Sequence, residues 1–559
     1  MEQYESLYVY ELSDAGNISS FDEAVTVACL QGIINQNTPK LYILSSRNKR
    51  PQFWLDKFTG ENEWLHGKYL NKTNNLDELI ELAGDFLRGA IIWDPKVPAT
   101  LNVATTVAGI ESEIVLSPEF ADRYLKHWNL KVIHDLRGAF DGSITGSAKN
   151  DAYRWVIQNH LTQGLCSSKL LCLYEDSFST REKGDIGYIV TRDWAVKNKA
   201  FVFDLSPWGD EKPADDSDQC LGLDLQTYKL ILGKILNQTE GKHMVELQGF
   251  FAFSKYSNTP NHFSIHEPVP TEWETVYLIS PYNCYQNTIV SNCYNQSLHS
   301  QAPFNPLVQG QPLEKPSLEN KVYICFHMAD YDSGTPLYDF MPNFWQDANR
   351  GKIPLGWGIN PNLIETYPDI ITYLYRTKSN KDYFTSDASA AGYFNPSRIQ
   401  QKYWPMVIEH NRHFFDQTDM KIAPMVLDWE EPIDTVKDAF TQFSPDGYGT
   451  IIYNFHNDAI SPMQMKIQPQ VWKQMPIIEM FNGTCNFSTA VESAQQIDSH
   501  IRDNYTGQAQ FSLIRIVWVS PTKIMDIIKA LHDLDPDLNF EVTDPYNFYR
   551  LLKESLSEK

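Results

Sequence analysis

The stretch VYICFHMADYD, residues 322–332, decides how this chain reads. Its first seven residues are mostly apolar, as in a buried strand, and it ends in two carboxylates, Asp330 and Asp332, one residue apart. Barrels and doubly wound sheets keep their chemistry at the carboxyl ends of parallel strands. If the chain stays extended, residues i and i+2 point to one side. The two acids then face one pocket and repel, and one holds its proton more tightly than a free Asp. General acid–base catalysis asks for such a pair. The plain alternative is two solvated loop acids or a helix cap.

Outward from this stretch, short apolar runs alternate with helical patterns at 244–253, 275–279, 322–327, 353–357, 422–427, 450–455 and 512–517. Such alternation predicts a (β/α) barrel of about seven strands, with an open doubly wound sheet as the rival. Polar residues follow several of these runs: Asn360, Asp428 and Glu430, then His456, Asn457 and Asp458. In a barrel they share one rim, although strand-to-helix turns favour Asp and Asn as caps anyway. Residues 546–552, after Asp544 and Pro545, read as a capped C-terminal helix.

The first 210 residues repeat a pattern three times: an apolar strand, a helix rich in small residues, and a second strand. The units cover 7–10, 21–35 and 41–44, then 90–93, 99–109 and 113–116, then 170–174, 186–197 and 201–203. Residue identity between them is low, so the repeat rests on pattern. A strand at 131–138 closes on Asp135 and Arg137, and the turn-rich 206–219 precedes a helix at 225–236. The expected domains are 1–240, an α/β repeat domain, and 241–559, the barrel.

A chain of 559 residues exceeds the roughly 250–300 at which single cores stop growing. The net charge of −23 argues against nucleic acid and anionic membranes, which need basic surface. No segment approaches the ~18 apolar residues of a membrane span. Met1 leads straight into a strand without a signal-like segment, as in a cytosolic protein or a mature chain whose signal has been removed. Aromatic content is 13%, with 14 Trp and 29 Tyr, enough to line a sugar cleft or fill a large core. Eight cysteines form no CxxC pair, and Cys284 and Cys293 could bridge in an oxidising compartment.

Glu272 stands beside Trp273 just before the run at 275–279, and a Glu against an indole suits a general acid. Gly356, Trp357 and Gly358 form a glycine-flanked strand end, and Ser389 to Pro396 a tight loop presenting Tyr393. P-loop, dinucleotide, serine-elbow and HExxH motifs are absent, so no cofactor is expected. His262, His266 and His456 lack fixed-spacing partners. Asp330, Asp332 and His456 could meet around a metal ion, but the expectation is a site without one.

Six stretches carry a family resemblance: HDLRG (134–138), FVFDLSPWGDEKPADD (201–216), VPTEWE (269–274), MADYD (328–332), RGKIPLGWGINPNL (350–363) and SAAGYFNP (389–396). In these the chain resembles the GxGYxYP family, described as glycoside hydrolases and found chiefly in polysaccharide-degrading bacteria. The signature is altered: Ala390 replaces its first Gly and Asn395 its second Tyr, while Gly392, Tyr393 and Pro396 remain. If the first Gly supplies positive φ, Ala390 strains the loop.

The resemblance implies an N-terminal domain of divergent repeats, a C-terminal barrel of about seven strands, and a cleft between them. It also implies catalytic carboxylates at Glu272, Asp330 and Asp332. The expected mechanism makes Glu272 the general acid and one Asp the base that activates water. Inversion is the favoured outcome, since paired acids serve a water better than a sugar carbon, and it requires about 6.5–9.5 Å between acid and base. Trp357, Tyr393 and Trp208 are candidate stacking surfaces, and Asn360, Asp387 and Arg137 candidate hydroxyl partners, with Trp273 and Tyr331 completing the substrate-binding set. The expected partner is a carbohydrate, met in the periplasm or outside the cell. The rivals are a non-catalytic glycan-binding protein and a metal-dependent deacetylase or hydrolase of decorated sugars.

Overall fold

Each repeat in the first 210 residues folds as a parallel strand–helix–strand unit. In the computed structural model, which describes residues 6–251, 255, 268–288, 291–454, 463–464, 466–483, 488–504 and 508–557, three small parallel sheets result. The first pairs β1 (Ser6–Leu12) with β2 (Leu41–Ser45) on one side and β3 (Tyr69–Thr73) on the other. The second places β4 (Gly89–Ile92) between β5 (Glu113–Leu116) and β6 (Val132–Asp135). The third sets β7 (Leu170–Leu173) between β8 (Phe201–Phe203) and β9 (Val245–Gly249), with β10 (Cys284–Asn287) beyond β9. The first strand of every unit is thus an interior strand of its sheet.

The repeat helices, Ile18–Ile34, Thr100–Glu111 and Arg192–Lys197, pack on one another between the sheets. Small residues permit this approach: a Cβ on Gly32 would stand 2.6 Å from the Asp193 carbonyl oxygen, and one on Gly109 2.7 Å from that of Val196. Their polar side chains serve as ties to the sheets, as when the Thr26 hydroxyl donates to the Val115 carbonyl at 2.9 Å. At the carboxyl ends of β7 and β8, Lys255 is wholly buried among Asp176, Asp204 and Asp215, with Nζ–O distances of 2.7, 2.8 and 3.1 Å.

The chain divides into two compact units, 1–303 with 366–369, and 304–365 with 370–559. Composition places a boundary near Gly241, yet the next strand, β9, hydrogen-bonds to β7 and so belongs to the N-terminal unit. The run at 275–279, expected as a strand, is the end of a helix, Pro268–Ile279. Val276 and Ile279 are buried at helical spacing while Tyr277 and Leu278 are half-exposed, and Pro268 and Pro270 suit a helix's first turn.

In the C-terminal unit the strands, in chain order, are β11 (Val322–Tyr331), β12 (Leu355–Ile359), β13 (Asp382–Thr385), β14 (Ile422–Asp428) and β15 (Gly447–Asn454), then the short β16 (Met463–Gln464) and β17 (Gln470–Trp472), then β18 (Met475–Phe481), β19 (Gln510–Val517) and β20 (Phe540–Val542). Seven run parallel in the order β13-β12-β11-β19-β18-β15-β14 and curve into a half-barrel. Its outer strands approach where the Ser386 N–H donates to the Ile422 carbonyl at 3.2 Å. Short β20 pairs with the start of β11, while β16 and β17 add antiparallel to β15 and β18. The run 322–331 is an interior strand, third of the seven, and is buried nearly throughout, as parallel strands covered on both faces must be. Strands β13 and β18 escape the sequence pattern, β13 because it is four residues long between charged neighbours.

Among the described residues seven cysteines are free, Cys284 and Cys293 included. No described helix is long and apolar enough to cross a membrane.

Candidate active site

The end of β11 does not stay extended. It pairs with β12 through Met328 and Trp357 and again through Tyr331 and Ile359, so β11 holds one residue more than its partner. Asp330 takes up the surplus in left-handed backbone, φ +66°. Such a bulge bends the strand and re-aims its side chains, at a cost of about 1–2 kcal/mol for a residue with a Cβ. The indole N–H of Trp518, at the end of β19, donates to the Asp330 carbonyl at 3.0 Å and fixes that conformation. The two acids are therefore not alternate residues of one flat face, and they meet unlike surroundings.

Asp330 faces a cation. Arg515 stands opposite His327 in the β11–β19 register, and its Nη2 donates to Asp330 Oδ1 at 2.6 Å while Nη1 donates to Asn482 Oδ1 at 2.7 Å. Asp332, just past β11, is half-buried. Loss of solvent, then the charges of Asp387 and Asp330, push its carboxyl well above the ordinary range, and Arg515 offsets this only in part.

Asp387, which follows β13, is fully buried. Its Oδ2 accepts the Tyr331 N–H at 3.0 Å, its Oδ1 lies 3.2 Å from His327 Nε2, and its own N–H donates to Asn360 Oδ1 at 3.0 Å. Burial, with the nearby Arg515 charge, lowers His327 to about 3, so the ring is neutral. Its Nδ1 lies 3.4 Å from the Thr385 hydroxyl, which makes Nε2–H the donor to Asp387. Gly358 leaves room for this contact. A Cβ there would stand 2.6 Å from His327 Cε1 and Nε2 and 2.9 Å from Asp387 Cγ.

The signature loop is pinned to the end of β14. Ser389 Oγ donates to the Phe394 carbonyl at 2.8 Å and accepts the Leu427 N–H at 3.2 Å; Asn395 Nδ2 donates to the Leu427 carbonyl at 3.1 Å. Ser397 donates through its N–H and hydroxyl to Asp428, at 2.7 and 2.5 Å, and burial raises that carboxyl to about 6. Left-handed backbone falls on Gly392, φ +98°, and Ala390 is not among the positive-φ residues. The expected strain at Ala390 is thus absent, because the turn never asks that position for positive φ.

The structure brings Asp330, Asp332 and Asp387 together and adds His327 and Arg515, which the sequence reading did not single out. His327 is hidden there in an apolar run, and only the glycine at 358 hints at a neighbour needing space. Trp357, Tyr331, Tyr393, Asn360 and Asp387 are all buried, which differs from the stacking and hydroxyl-binding roles expected of them. The Trp357 indole N–H donates to Asp382 Oδ1 at 2.9 Å, and Asn360 Nδ2 donates to the Ala388 carbonyl at 2.6 Å, so these residues support the barrel mouth from within.

The remaining candidates belong to the N-terminal unit. Glu272 and Trp273 are half-buried on the helix Pro268–Ile279, and Trp208 is half-buried in the turn-rich segment. Arg137 grips Asp135 at 2.9 and 2.6 Å. His262, His266, His456, Asn457 and Asp458 lie outside the described residues. Among the described residues no group of three or more His, Cys, Asp or Glu is disposed to hold a metal ion.

Profiles for the first and second N-terminal domains of the GxGYxYP family match residues 6–83 and 87–165. The profile described as "GxGYxYP putative glycoside hydrolase C-terminal domain" matches residues 320–553. Among solved structures, one described as a "putative hydrolase" from Bacteroides thetaiotaomicron is similar over 99% of this chain and 95% of its own, with a TM-score of 0.73 at 17% identity, a shared fold. Another, described as a "putative polysaccharide deacetylase" from Mycobacterium smegmatis, aligns over 44% of this chain and 96% of its own, with a TM-score of 0.29 at 10% identity. No curated protein matches the chain in sequence.

Proposed function

The chain belongs to the GxGYxYP family, and we propose that it hydrolyses an O-glycosyl bond of an oligo- or polysaccharide at the carboxyl end of β11. The observation that carries this reading is the division of labour between two acids a residue apart. Asp330 is paired with Arg515 at 2.6 Å, while Asp332 is pushed up by burial and by its acidic neighbours. Acid and base assignments follow from environments that separate two carboxyls in this way.

In this reading Asp332 donates its proton to the leaving glycosidic oxygen, and the Asp330 carboxylate takes a proton from the attacking water. The sequence reading expects the acid at Glu272 and the base at one of the two Asp residues, so Asp332 here takes the part given there to Glu272. Arg515 spreads and anchors the Asp330 charge, which suits a carboxylate orienting water better than one attacking carbon. Inversion is the outcome we propose, as the sequence reading favours.

A panel of aryl glycosides tests the roles. Asp332→Asn should keep turnover on dinitrophenyl leaving groups, which need no proton, and lose it on unactivated ones. Asp330→Asn should lose both. Equal loss on both leaving-group classes in Asp332→Asn removes it as the acid. Glycan binding without turnover by wild type would mark a non-catalytic carbohydrate-binding protein instead.

A further inference from the structure

We propose that Asp387 and His327 form a proton-holding pair beneath Asp332, with Asp387 a positioning residue whose negative charge keeps the Asp332 carboxyl protonated. The inference deepens the reading of Asp332 as general acid and rests on it for its catalytic meaning. It stands on geometry. Asp387 is fully buried, so it does not reach a substrate, whereas Asp332 is partly open to solvent.

Donors converge on Asp387. The Tyr331 N–H arrives at 3.0 Å and His327 Nε2 at 3.2 Å, and the Asp330 N–H also points to it. The backbone donor that reaches Asp332 is, by comparison, its own N–H. Loss of solvent raises both carboxyls, and two neighbouring acids share a proton rather than both ionise. The better-solvated anion is the one with the N–H donors, so Asp387 carries the charge and Asp332 the proton.

The charged and titratable groups facing Asp332 are Asp387 beyond β13, Asp330 on β11 and Arg515 on β19. Arg515 bonds Asp330 and Asn482 and offsets the Asp387 charge only in part. His327 cannot compete for the proton, because it stays neutral. Gly358 completes the device, since any side chain there would wedge His327 from Asp387.

Infrared difference spectra of the full-length protein, wild type minus Asp332→Asn, read this proton without needing turnover. A protonated-carboxyl band assigned to Asp332 should be present at pH 7. In Asp387→Asn its midpoint should fall by about one pH unit or more, since a like charge is removed. His327→Leu should shrink the band as Asp387, stripped of a donor, takes the proton; His327→Gln, which keeps an N–H donor, should restore it. The alkaline limb of kcat against pH should move down with the band in Asp387→Asn.

No Asp332 band in wild type, or an unmoved midpoint in folded Asp387→Asn and an unchanged band in His327→Leu, would overturn the proposal. A band that behaves as described in a protein that hydrolyses no glycan would leave the proton pair standing and sink only the hydrolase reading.

Discussion

Replacing Arg515 with Met probes the site at its most informative contact. The guanidinium holds Asp330 at 2.6 Å, with the two side chains only 20% and 27% exposed. Removing one partner of a buried pair strands the other charge, at a cost of about 3–5 kcal/mol. Residual solvent at the barrel mouth places this pair at the low end, about 3 kcal/mol. Asp330→Asn retains a hydrogen-bond acceptor for Arg515 and should cost about 2 kcal/mol. The double variant should cost little more than the worse single, because no unpaired charge remains, giving a coupling of about 2 kcal/mol. Native-state hydrogen exchange of the buried β11 amides reads these costs where they arise. Costs that add to within about 0.5 kcal/mol would refute the claim that Asp330 and Arg515 act as a coupled pair.

Other outcomes follow from the same structure. Gly32→Ala should destabilise the N-terminal unit by about 1–3 kcal/mol, since its Cβ would meet the Asp193 carbonyl at 2.6 Å; a urea midpoint equal to wild type would refute the helix crossing. Gly392→Ala forces a Cβ into φ +98° and should lower stability by about 1–2 kcal/mol together with turnover, whereas Ala390→Gly should cost less than about 1 kcal/mol. Glu175 is raised from 4.5 to about 7 by burial, so the folded state binds its proton more tightly than the unfolded chain. Its contribution to stability is full below about pH 4.5 and is lost as pH rises toward 7. Glu175→Gln should remove that fall and leave the protein about 2 kcal/mol more stable than wild type at pH 8, read from urea titrations at both pH values.

What could be read from sequence was whatever rests on periodicity. The three repeat units and the strand β11 are long or sharply bounded apolar runs, and their strands fold where the pattern places them, although the third helix, expected over 186–197, spans only Arg192–Lys197. The segment 268–279 misled because VYLI is apolar enough for a strand, and only the prolines and the spacing of Val276 and Ile279 mark a helix. Asp330 and Asp332 were legible as a pair, but the bulge that separates their environments depends on pairing with β12 and has no local signature. His327 and Arg515 were out of reach for the same reason. Their meeting is a matter of register between β11 and β19, strands separated by more than 170 residues. Conversely, Trp357 and Tyr393 look like sugar platforms in one dimension and are core residues in three.

The measurement that bears most directly on the central claim is sugar release from a broad panel of plant, host and microbial glycans by wild type and by Asp332→Asn. New reducing ends from at least one glycan with wild type, and none from that unactivated substrate with a folded Asp332→Asn, is the predicted result. Equal release by both proteins, or no release by wild type from any glycan it binds, would contradict it.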